Sequence, residues 1–202
     1  MNDMSWWTRV TDHILELVLG LALLSVGVVQ VLLPVLGVAT PLQPAHSREV
    51  RLDGAARLPG ETASAAVTLR GSGHAELAFT DPGLGQHLLL VLPGLVSGLL
   101  VLVILAALLR MARTFRDGDF FVPRNTRHLG VVAATLLLIG TLVPLLDMMT
   151  TNLLARGLPM ADAITPARDF AVQPVFLALL AGAAAEAFRA GTRLRADTEG
   201  LV

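Results

Sequence analysis

The chain has 202 residues, of which 54% are hydrophobic and 15% charged, with a mean hydropathy of +0.68 and a formal net charge of -1. An average soluble domain is about 25% charged, and here the apolar residues gather in long runs, so composition selects a small membrane bundle. The near-neutral balance removes a global basic field for nucleic acid. The absence of cysteine removes disulfides, thiolate metal sites and a cysteine nucleophile.

The first apolar run extends from about Ile14 to Val38. A bilayer-crossing helix needs about 20 such residues, whereas the apolar core of a secretory signal is about 7–15 residues long. With Asp3 and Asp12 diluting a basic start, we expect a retained span rather than a cleaved leader. Trp6 and Trp7 precede it, as amphipathic aromatics do at a membrane interface. Gln30 lies deep in this run, and we expect it to be buried and to bond to a neighbouring helix.

The connection from about 39 to 86 is long, and its Arg48, Arg51, Arg57 and Arg70 are offset by Glu49, Asp53, Glu61, Glu76 and Asp81. Within it, AVTLRGSGHAELAF at 66–79 alternates on both sides of Gly71-Ser72-Gly73, which predicts a β-hairpin. VRLDGAARL predicts one more strand around Asp53-Gly54. An isolated hairpin is marginal in water, so this layer should lean on helix ends or on a partner.

Three further spans follow, at about 88–109, 129–149 and 170–188. The expected fold is an all-α four-helix transmembrane bundle, one membrane domain over 1–202, with a small extracytoplasmic β-hairpin insertion between spans one and two. Arg110, Arg113, Arg116, Arg124 and Arg127 crowd the short loop at about 110–128, and Arg189, Arg193 and Arg195 the tail at about 189–202. Positive charge beside span ends favours the cytoplasm and long loops count little. Both termini are therefore expected in the cytoplasm.

Spans two and four both end in Phe-Arg-x-Gly, at TFRDGDFF (114–121) and AFRAGTRL (187–194). Glycine just past a helix end caps its carbonyls in the left-handed conformation, and arginine suits the negative end of the dipole. We expect Gly118 and Gly191 to act in this way, and Asn125 to cap the third span helix. Either loop and tail pack together, for example as a short strand pair that presents a docking surface, or their arginines contact anionic lipid. Lipid is the expected contact for the arginines, protein for Phe120, Phe121 and the terminal Leu-Val. Gly94 and Gly98, and the run AGAAAEA at 181–187, have the small-residue spacing of close helix packing, within the bundle or in a homo-oligomer.

The segment GDFFVPRNTRHLG at 118–130 resembles the "G-x-P-F-x-x-x-N-x-x-R-L" signature of a bacterial four-span family catalogued as a domain of unknown function. The ending AEAFRAGTRLRADTEGLV at 185–202 is similar to that family's tail. Phe120 stands where the family usually has proline, which makes the start of the loop less rigid. Members are often encoded beside a small Cro/C1-type helix-turn-helix regulator, so the resemblance implies such a protein as a cytoplasmic partner.

No set of side chains with catalytic spacing is visible. His13, His46, His74, His87 and His128 form no H-x-x-x-H pair, and no nucleophile elbow, P-loop or dinucleotide fingerprint occurs. We expect no enzyme, no cofactor, no metal site and no direct nucleic-acid contact. The expected partners are the lipid bilayer and a cytoplasmic regulator. Candidate partner-binding residues are Arg116, Gly118, Phe120, Phe121, Asn125, Arg127, Arg189, Gly191, Leu194, Leu201 and Val202.

Charge inside a span is penalised by hydrocarbon and so marks a candidate site. Asp147 follows Pro144, and Gln173-Pro174 lies at comparable depth in span four; the prolines are expected to kink their helices. Either Asp147 pairs with Arg156 or Arg168 at the interface, or Asp147, Gln173 and His87 line a polar vestibule of a small transporter or channel-like oligomer. Glu16 is expected to reach an arginine of the short loop, and Glu186 to pair with Arg189.

Overall fold

The computed structural model describes residues 3–39, 47–52, 67–70, 74–79, 82–116, 122–156, 158, 164–166 and 172–199. In chain order these form α1 (Asp3–Val26), a π-helical turn (Gly27–Leu32), α2 (Leu33–Ala39), β1 (Ser47–Leu52), β2 (Val67–Arg70), β3 (His74–Phe79), α3 (Leu84–Arg116), α4 (Pro123–Ala155), β4 (Ile164–Pro166) and α5 (Val172–Glu199).

Four helical stretches are long and apolar enough to cross a membrane: Ile14–Leu36, Leu84–Arg116, Pro123–Ala155 and Val172–Leu194. None of the strongly apolar window of the first is buried within the chain. A surface of leucine, valine and isoleucine this extensive has lipid as its natural solvent. At about 1.5 Å per residue, the 33 residues of α3 and of α4 reach well past a hydrocarbon core of about 30 Å. The expected spans two and three stopped at the last apolar residue. The helices continue because arginine, threonine and asparagine remain compatible with helix once it leaves the lipid.

The π-turn has a local cause. Pro34 has no N–H, and its ring clashes with the carbonyl four residues earlier, so the chain widens over Gly27–Leu32.

The chain divides into two compact units. One comprises Val29–Ser97 and Thr141–Ala171; the other comprises Met1–Val28, Gly98–Gly140 and Val172–Val202. The first holds the sheet, whose strand order is β2-β3-β1-β4, with every neighbouring pair antiparallel. The predicted hairpin is β2–β3, with Val67 opposite Phe79 and Arg70 opposite Glu76. The expected extra strand is present as β1 and spans Ser47–Leu52; Asp53-Gly54 lies outside the described residues. β4 was not anticipated. It comes from the connection between α4 and α5 and pairs Pro166 with Val50 at an edge, where a residue without an N–H is tolerated.

Alternation along the strands sets the buried face. Val50, Leu77, Phe79 and Ile164 point inward and pack with Leu90 of α3 and with Leu154 and Ala155 of α4. The marginal hairpin is thus stabilised by helix ends, as its size requires.

The second unit has a core of smaller side chains, including Ala107 and Met111 of α3, Val132 of α4, and Ala178 and Ala185 of α5. The two residues of the repeated Phe-Arg-x-Gly pattern meet here. Phe115 and Phe188 stack with ring centroids 6.2 Å apart and planes inclined by 29°. The cap expected at Gly191 is overturned, because α5 continues through it to Glu199. One glycine costs a helix about 1 kcal/mol, and the Thr-Arg-Leu-Arg-Ala-Asp-Thr-Glu that follows is mostly good helix former. The tail is therefore helical as far as Glu199 and supplies no strand over that stretch. Gly118 lies outside the described residues.

Candidate functional site

The most concentrated polar site is in the sheet-bearing unit, and its centre was missed in the sequence. Arg48 shares the inward register of β1 with Val50 and lies opposite Leu77 of β3. Only 8% of its side chain is exposed. Its Nη1 donates to Thr150 Oγ1 at 2.6 Å and Thr151 Oγ1 at 3.2 Å, and its Nη2 to the carbonyls of Leu89 and Leu90, each at 3.0 Å. Asp147 Oδ1 lies 3.9 Å from Nη2, and its side chain is equally buried. The planar fork of arginine fits such a divergent set of acceptors; a lysine would not.

The sequence explains why these acceptors are available. Leu89 lies four residues before Pro93, which is fully buried and has no N–H to donate back to the Leu89 carbonyl. Arg48 fills that gap. On α4, Thr150 donates its hydroxyl proton to the carbonyls of Leu146 (2.8 Å) and Asp147 (3.2 Å), leaving its lone pairs for Arg48. Among the described residues the arginine beside Asp147 is Arg48, not the expected Arg156. Arg156 is exposed, and Arg168 lies outside the described residues.

A test follows from the geometry. In Pro93→Ala the new N–H binds the Leu89 carbonyl and competes with Arg48. Removing Arg48 should then cost about 1 kcal/mol less than in the parent protein, measured as a double-mutant cycle on thermal unfolding in detergent. Strict additivity would show that the proline does not create the acceptor.

The residues of the expected polar vestibule are divided between the two units. Asp147 is clamped by Arg48, and His87 is half-buried in the first turn of α3, where its N–H donates to the Gly83 carbonyl at 3.0 Å. Gln173 belongs to the other unit and is exposed in the first turn of α5. Pro174, in the same turn, has no helical hydrogen bond to break, so it does not kink α5 as expected. Pro144 does fall inside α4.

In the other unit a second cluster joins α1 to the last turn of α3. Glu16 of α1 accepts from Arg113 Nε at 2.8 Å through one oxygen and from Arg116 Nη1 at 3.0 Å through the other. Glu186 accepts from Arg189 Nη1 at 2.6 Å along α5. Both clusters are solvent-facing, where such pairs contribute at most about 1 kcal/mol. They set charge and orientation more than stability.

Asn125 takes a different role from the one expected. α4 begins at Pro123, whose fixed φ suits the first helical position. Asn125 lies within the first turn, is fully buried, and gives its N–H to the Val122 carbonyl at 3.0 Å. Its Oδ1 accepts from Thr114 Oγ1 of α3 at 2.7 Å, and the same hydroxyl lies 2.8 Å from the Met111 carbonyl. Asn125 therefore joins α3 to α4 and presents no docking surface.

Of the other candidate partner-binding residues, Arg127 is exposed on α4, and Leu194 is 67% exposed on α5. Gly191 is half-buried within α5, and Arg116 and Arg189 are the paired arginines above. Phe120, Phe121, Leu201 and Val202 lie outside the described residues. Gln30 is exposed, contrary to the expected burial between helices. Among the described residues nothing lies within 4 Å of a Cβ added at Gly94 or Gly182, whereas Gly98 is buried.

Four apolar helices and a sheet riveted to two of them define a multi-pass membrane protein with an extramembrane β layer. Residues 53–202 match the model of a family described as "Protein of unknown function (DUF2975)", and the chain belongs to that family. Neither the curated proteins nor the solved structures provide a match.

Proposed function

We propose that this is a non-enzymatic regulatory protein of the bacterial inner membrane, with both termini in the cytoplasm. It binds a small cytoplasmic helix-turn-helix regulator, and in that way keeps it from DNA. The observation that carries this reading is the extension of α5. The helix leaves its apolar stretch and continues to Glu199, exposing Leu194 between Arg193 and Asp197. An apolar side chain on a charged helical face is a recognition anchor for another helix. The sequence pattern of the family tail, which implies the regulator, falls on this same helix.

The Arg48 clamp supports a sensing role for the sheet. It fastens β1 to α3 and α4, and both helices run unbroken toward the arginine-rich turn. The arginine-rich turn lies on the cytoplasmic side under the charge rule.

The test is affinity purification of the tagged protein from its native membrane in mild detergent, followed by mass spectrometry. A small DNA-binding protein should co-purify in near-equal amount, and recovery should fall at least tenfold in Leu194→Glu and in the Phe120→Ala/Phe121→Ala pair. Recovery of the chain with no such companion would overturn the reading.

A further inference from the structure

Gln30 poses a problem that the described residues do not solve. It lies in the π-turn, inside the apolar stretch Ile14–Leu36. It is exposed between Val29, Leu32 and Leu33, which are 56%, 49% and 41% exposed. Among the described residues no hydrogen bond reaches its amide. At 1.5 Å per residue it is about 9 Å from Leu36, too deep for a side chain of its length to reach water. Lipid tails offer neither donor nor acceptor, and a polar group left without a partner there is costly.

We propose that Gln30 pairs with Gln30 of a second copy of this chain, across a two-fold axis normal to the membrane and between two parallel first spans. A primary amide carries both donors and an acceptor, so it complements itself. Copies of one chain insert with one topology, which puts their first spans parallel and their Gln30 amides at the same depth. Any other partner would need a polar group at that depth by coincidence. The surrounding face adds apolar contact along the first span, no residue of whose strongly apolar window is buried within the chain. Two-fold symmetry makes the patch complementary to itself. This inference does not depend on the regulatory reading.

The chain has no cysteine, so Leu33→Cys introduces a single thiol one turn from Gln30 with the amide intact. Oxidation in native membranes should yield a covalent dimer of the tagged chain. Adding Gln30→Leu should lower that yield about fivefold, the scale of one interhelical hydrogen bond, while Gln30→Asn should retain most of it. Insertion and thermal unfolding of each variant, measured in parallel, separate lost pairing from lost folding. An absent dimer in well-folded protein, a yield indifferent to Gln30→Leu, or a Gln30-dependent cross-link to a different protein would each overturn the proposal.

Discussion

Replacing Arg48 with alanine should destabilise the sheet-bearing unit by about 3–5 kcal/mol, the usual cost of removing one member of a buried ion pair. Two effects compete for the explanation. An opposite charge at about 4 Å contributes about 4 kcal/mol at an effective dielectric of 20, before desolvation is subtracted. A hydrogen bond to a charged group contributes about 1.5–3 kcal/mol, and Arg48 makes four of them to neutral oxygens. The Asp147 contact, at 3.9 Å, is the longest in the set.

The hydrogen bonds should therefore dominate. Asp147→Asn should cost clearly less than Arg48→Ala, and Arg48→Lys should recover only part of the loss because it cannot fork between α3 and α4. The measurement is thermal unfolding in detergent together with the rate of proteolysis across residues 39–86. The clamp account fails if Arg48→Ala melts with the parent protein and is cleaved no faster. An Asp147→Asn loss equal to that of Arg48→Ala would make charge pairing the main term.

The spans were legible because hydrocarbon imposes a requirement that shows in any window: about 20 residues with almost no charge. The β2–β3 hairpin was legible for a similar reason, since alternation and a Gly-Ser-Gly turn are local signals. What escaped was assembled from distant parts of the chain. β4 has three residues and carries no pattern of its own. Arg48 gave one faint signal: it occupies the same alternating register as Val50 and Leu52, where an apolar residue is the usual choice. Its acceptors depend on Pro93 and on the Thr150-Thr151 pair, more than 40 and 100 positions away. The Phe-Arg-x-Gly repeat was visible, and its meaning was misassigned at the second of its two places. Its glycine does not end α5, whereas its two phenylalanines find each other.

Asn125→Ala should lower stability by about 1–3 kcal/mol, the range for losing a buried polar partner. Thr114 keeps the Met111 carbonyl as an acceptor, so its hydroxyl is not orphaned. The loss comes from the missing tie between α3 and α4 and from the space the amide leaves. Thr114→Val should cost about 1 kcal/mol, and the pair should be non-additive because both remove the same contact. Additive losses would show that the two side chains act independently. The comparison with Leu194→Glu separates scaffold from docking surface. Leu194 is exposed, so its substitution should abolish recovery of a cytoplasmic partner while the melting temperature stays within a degree or two. Asn125 is fully buried, so Asn125→Ala should reduce recovery only in step with the lost stability. Loss of the partner in Asn125→Ala without any change in melting would move the docking surface from α5 to the turn that Asn125 holds.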